Sequence, residues 1–78
     1  MPRYLIEDPP YTPPHPSMLK LIRTFPEDET RLIERYSPRL KRWVEDVEML
    51  QIYFGGIEVR SITEEEANRL IREVYNID

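Results

Sequence analysis

Six of the eight prolines fall within the first seventeen residues, MPRYLIEDPPYTPPHPS, at positions 2, 9, 10, 13, 14 and 16. A proline fixes φ, removes a backbone donor and pushes the residue before it out of the α region. No helix can run through such a stretch, and residues 9–16 are expected to be extended and polyproline-like. The chain therefore divides into a proline-rich extended arm, residues 1–17, and a single small domain, residues 18–78. Within the arm, Tyr4-Leu5-Ile6 has the composition of a short strand, and Tyr11 is an aromatic held between two Pro-Pro pairs.

Seventy-eight residues bound the rest. A chain of 9.5 kDa buries only about 60% of its extended-chain surface, so its core is thin unless a partner or a second copy adds to it. There is no cysteine and a single histidine, His15. That excludes disulfides, thiolate metal sites, cysteine nucleophiles and a two-histidine metal site within one chain. The longest apolar stretches are a few residues long, so neither a secretory signal nor a membrane span is expected, and a cytoplasmic location follows by default. Nine Arg against two Lys, with three Asn and Gln in total, is a composition suited to a heat-exposed protein.

Residues 18–24 are compatible with a short helix capped by Ser17 or with a strand over Leu19–Arg23. Pro26 followed by Glu27, Asp28 and Glu29 places a proline and three acids where a first helical turn favours them, predicting a helix to about Tyr36. Ser37-Pro38 then reads as an N-cap with proline at the first helical position. Leu40, Trp43, Val44, Val47 and Leu50 would share one arc of the helix that follows.

Two structures fit Gln51–Arg60. In one, the second helix continues to Phe54 and Gly55 caps it. In the preferred one, Gly55-Gly56 is the turn of a tight β-hairpin that pairs Phe54 with Ile57, Tyr53 with Glu58 and Ile52 with Val59. Thr63-Glu64-Glu65-Glu66 is a capping box, and Ala67, Leu70, Ile71, Val74 and Tyr75 recur at helical spacing, predicting a C-terminal helix to about Asn76. The fold class expected is thus small α+β: two or three short helices, a Gly-Gly hairpin and a C-terminal helix, preceded by the arm. The expected core is Trp43, Val47, Leu50, Ile52, Phe54, Val59, Leu70, Ile71 and Val74.

Chemistry-bearing motifs are sparse. No phosphate loop, nucleophile elbow or zinc-protease pattern occurs, and the acidic trios at 27–29 and 64–66 are accounted for by helix starts. No cofactor, metal or catalytic residue is expected. A chain of this kind is read as a non-enzymatic protein-binding accessory subunit, adaptor or small inhibitor, with another protein or a homo-oligomer as partner. The residues assigned to that contact are Tyr4, Tyr11, Pro13, Met49 and Tyr53. PxxP spacing from Pro10 to Pro13 and Pro13 to Pro16 makes the arm easy to order on an aromatic groove. The alternative is DNA binding. Helix, near-immediate turn, helix and hairpin over residues 27–61 is the order of a winged helix, with Arg35, Arg39, Lys41 and Arg42 as the basic contacts. The same cations, with acids three or four residues away, also read as a salt-bridged surface, and the net charge of -4 disfavours phosphate binding.

Overall fold

The computed structural model describes residues 1–76. Its centre is an antiparallel sheet of five strands: β1 Arg3–Glu7, β2 Leu21–Thr24, β3 Glu34–Ser37, β4 Arg42–Glu45 and β5 Val59–Ile62. Their order across the sheet is β4-β3-β2-β1-β5. The chain is a small mixed α+β domain with a C-terminal helix, α1 Glu64–Leu70, which continues as a π-helical turn over Ile71–Tyr75. Two 3₁₀ segments complete it, Pro16–Met18 and Val47–Phe54.

Adjacent apolar pairs in the strands explain why a sheet wins. Leu5-Ile6 and Leu21-Ile22 send neighbouring side chains to opposite faces, and all four are buried. A sheet covered on both faces satisfies such pairs, whereas a helix would place them side by side. On one face, Ile6, Leu21 and Tyr36 pack with Ala67 and Tyr75 of the C-terminal helix, flanked by Trp43, Ile62, Leu70, Ile71 and Val74. On the other, Leu5, Ile22 and Ile33 pack with Met49, flanked by Ile52, Ile57 and Val59.

The first residues of the arm are therefore sheet. β1 pairs with β2, Leu5 opposite Ile22, and with β5, Tyr4 opposite Ile62. The strand expected at Tyr4-Leu5-Ile6 is present and lies inside the sheet, and the strand alternative for Leu19–Arg23 is realised as β2. The prolines then fill the β1–β2 connection. His15 begins the 3₁₀ turn there, its Nδ1 accepting from the Ser17 amide at 3.1 Å.

The helix expected from Glu27 to Tyr36 does not form. The Asp28 carboxylate accepts from the Thr30 amide at 3.0 Å and the Thr30 hydroxyl at 2.6 Å, closing a local turn that competes with helix. The Thr30 hydroxyl and amide, in that order, also hold the Asp28 carboxyl below its usual pKa. Nor is there a helix from Ser37. Ser37 does cap, its Oγ accepting from the Leu40 amide at 3.1 Å, but only for one turn. Lys41 then takes a positive φ of 56°, and the chain returns as β4 with Tyr36 opposite Trp43. The winged-helix order is thus replaced by a β3–β4 hairpin.

The Gly-Gly hairpin is also replaced. Gln51–Phe54 is the end of the 3₁₀ segment, Gly55 caps it at φ 80°, and its partner strand β5 pairs with β1 instead. The alternative in which Gly55 is a C-cap is the one observed, on a 3₁₀ rather than an α-helix. Thr63 caps α1, its Oγ accepting from the Glu66 amide at 3.1 Å.

Candidate functional site

The 3₁₀ segment Val47–Phe54 crosses the sheet face opposite α1, from the β4 edge to the β5 edge. Eight residues at about 2 Å each span roughly 16 Å, close to the ~19 Å between the first and fifth strands of a sheet. Asp46 starts it, one carboxylate oxygen accepting from the Glu48 amide at 3.1 Å and the other from Arg35 Nε at 2.8 Å. A 3₁₀ helix has three residues per turn, so residues three apart eclipse. Met49 and Ile52 form the inward row, against Leu5, Ile22 and Ile33. Val47, Leu50 and Tyr53 form an outward row, 55%, 38% and 64% exposed, and Phe54 at the end is 86% exposed.

Beside this row, Arg3, Leu5, Thr24, Ile52, Tyr53 and Val59 line a groove of about 200 Å³ between the segment and the sheet. A larger depression of about 750 Å³ follows the outer flank of α1, lined by Thr63, Glu65, Glu66, Asn68, Arg69 and Arg72. Its walls are polar and charged, and Arg69 in them pairs with Glu66 at 3.8 Å and with the neighbouring Glu73 at 3.5 Å. It is therefore a weaker candidate than the apolar row.

The residues expected to bind a partner separate. Tyr53 is in the row. Met49 is not available to a partner: it is 2% exposed and sits in the core under the segment, because the period here is three rather than 3.6. Tyr4 is built into the fold. Its ring lies 6.0 Å from that of Trp43 and its hydroxyl donates to Glu64 Oε2 at 3.2 Å. Burial, then the Glu64 charge, raise its pKa above the usual phenol value. Tyr11 is exposed in the proline connection and Pro13 is half-buried there.

The basic residues separate too. Arg35 is paired with Asp46, while Arg39, Lys41 and Arg42 are exposed around the β3–β4 turn. Val47, Leu50 and Phe54, expected in the core, are at the surface instead. The three-residue spacing of Val47, Leu50 and Tyr53 against Met49 and Ile52 is a signal present in the sequence, obscured by reading the stretch at helical or strand period. Among the described residues no group of three or more His, Asp or Glu is placed to hold a metal ion, and no helix is long and apolar enough to cross a membrane. In comparisons with known proteins, no family model, no curated protein and no solved structure matches the chain.

Proposed function

We propose that the protein is a non-enzymatic binding subunit, an adaptor or small inhibitor in a cytoplasmic assembly, and that its contact surface is the outward row of the 3₁₀ segment. The observation that carries the reading is the four large apolar side chains Val47, Leu50, Tyr53 and Phe54 left exposed on one eight-residue element. Tyr53 and Phe54 together offer on the order of 300 Å², the scale at which an apolar patch on a small protein is commonly functional. Exposed aromatics on a short, stiff element have the character of binding hot spots. Tyr11, exposed between Pro-Pro pairs, is a second contact in the same proposal, suited to a polyproline-reading groove.

The test is a photo-crosslinking residue, benzoylphenylalanine, placed at Phe54 and, as a control, at Arg69 on the outer flank of α1. Irradiation in cells should give an adduct from position 54 and not from position 69. Adducts from neither, or equally from both, would overturn the reading.

DNA binding is a second reading, favoured by one observation: Arg39, Lys41 and Arg42 are exposed together at the end of the β3–β4 hairpin. So few cations neutralise few phosphates, and titration of duplex DNA at about 0.15 M salt should then give binding no tighter than roughly 10⁻⁵ M with a shallow salt slope. Submicromolar binding lost in Arg39→Ala/Arg42→Ala would raise it above the first.

A further inference from the structure

We infer that the outward row of the 3₁₀ segment is covered by the same row of a second copy of this chain, an identification of the partner that rests on the protein-binding reading above. The geometry is isologous. A two-fold axis at Leu50 runs the two segments antiparallel, sets Leu50 against its own copy and brings Val47 of each protomer to Tyr53 of the other. The row is self-complementary in size, a small side chain at one end facing an aromatic at the other.

Charge agrees with this arrangement. Glu48 is the only charged residue between Val47 and Phe54, and it lies toward the β4 end of the segment. Arg3 lines the groove at the other end, beside Tyr53. Both are exposed, and among the described residues neither has an ion-pair partner. Antiparallel pairing carries each Glu48 to the Tyr53 end of the other protomer, where Arg3 stands, so two opposite-charge contacts flank the apolar row symmetrically. A parallel pairing would set Glu48 against Glu48 and Arg3 against Arg3.

The surface left exposed points the same way. The chain exposes 5601 Å², whereas a folded monomer of its mass exposes about 5,050 Å². The excess is comparable to what one protomer contributes to a modest dimer interface, about 600–800 Å². At the start of the segment the Asp46 backbone amide donates to the Ile33 carbonyl at 3.1 Å, which fixes that end of the row to the sheet.

The test is sedimentation equilibrium of the full chain from about 1 µM to 1 mM, with circular dichroism and Trp43 fluorescence to verify folding. The wild type should dimerise. Leu50→Asp, at the two-fold, should be monomeric, and Val47→Lys serves in its place if Leu50→Asp does not fold. Arg3→Glu and Glu48→Arg should each weaken the dimer about tenfold or more, and the double exchange Arg3→Glu/Glu48→Arg should restore it to within about threefold of wild type. A wild type that stays monomeric to 1 mM, a dimer insensitive to Leu50→Asp and Val47→Lys, or a double exchange no better than either single one would overturn the inference. The crosslinking test remains separate: an adduct from position 54 heavier than two protomers would leave the binding surface standing with a different occupant.

Discussion

The hydroxyl of Tyr75 donates to the backbone carbonyl of Leu19, 56 residues earlier in the chain. It ties the last turn of the C-terminal helix to the entry of β2. Burial, with the Glu7 charge as the second cause, pushes the Tyr75 hydroxyl up to about 12. The folded state therefore holds the proton where the unfolded chain, with its phenol near 10, gives it up. Stability from this group is fully present below about pH 10 and lost as pH rises toward about 12, a change on the order of 2 to 3 kcal/mol. Denaturant midpoints measured between pH 8 and 12 should fall across that window, and Tyr75→Phe should flatten the fall. At neutral pH the same variant should cost roughly 1 to 3 kcal/mol, because it leaves the Leu19 carbonyl without its donor.

The two glycines should behave differently despite being adjacent. Gly55 has φ 80°, a conformation that strains any side chain, although a Cβ there would meet nothing within 4 Å. Gly55→Ala should cost about 1 to 2 kcal/mol in an equilibrium unfolding experiment. A Cβ on Gly56 would meet the Gln51 side chain, 3.0 Å from its Oε1 and 3.1 Å from its Cβ. Gln51 is exposed and its amide can rotate away, but its Cβ moves only with the backbone of the last 3₁₀ turn, so Gly56→Ala should cost less than Gly55→Ala, about 0.5 to 1 kcal/mol. The reverse ranking would favour a primed hairpin turn at Gly55-Gly56.

Thr63→Ala removes the acceptor for the Glu66 amide and should cost about 1 kcal/mol of stability. Helical circular dichroism at low denaturant should change little, since Ala67, Leu70, Ile71 and Tyr75 keep the helix on the sheet.

Deleting residues 1–7 should abolish cooperative unfolding. β1 lies between β2 and β5, and its loss removes Leu5 from one core and Ile6 from the other. The milder Ile6→Ala should cost roughly 2 to 5 kcal/mol. A truncated chain that still melts cooperatively would mean that β5 finds another edge.

The parts of this fold legible in the residues are those fixed by local chemistry. Thr63 with Glu66 announces a helix start, the spacing of Ala67, Leu70, Ile71 and Val74 its buried side, and Tyr4-Leu5-Ile6 a strand. The middle of the chain is harder to read, because Trp43-Val44 and Leu21-Ile22 are apolar on both faces of a sheet and carry no alternation. Acids after Pro26 and the Ser37-Pro38 pair are signals shared by helix starts and by turns. Here Asp28 with Thr30, and Ser37 with Leu40, close turns that stop after one cycle. For the candidate site, Tyr53 was legible as an unburied aromatic. Phe54, Val47 and Leu50 were not, since an eight-residue 3₁₀ helix is rare and its period was not among those the pattern first suggests.

The position of β1 between β2 and β5 also governs how the chain acquires its structure. The strand made earliest is completed by one of the latest, Tyr4 meeting Ile62 across most of the chain, so the entropy of closing that large loop must be met before the second half of the ladder contributes. Until residues 59–62 arrive, β1 presents an unpaired backbone edge, flanked by Leu5 and Ile6, to whatever is nearby. Folding intermediates of this protein are therefore expected to be adhesive at their first strand, and a chain cut short before β5 should aggregate through it.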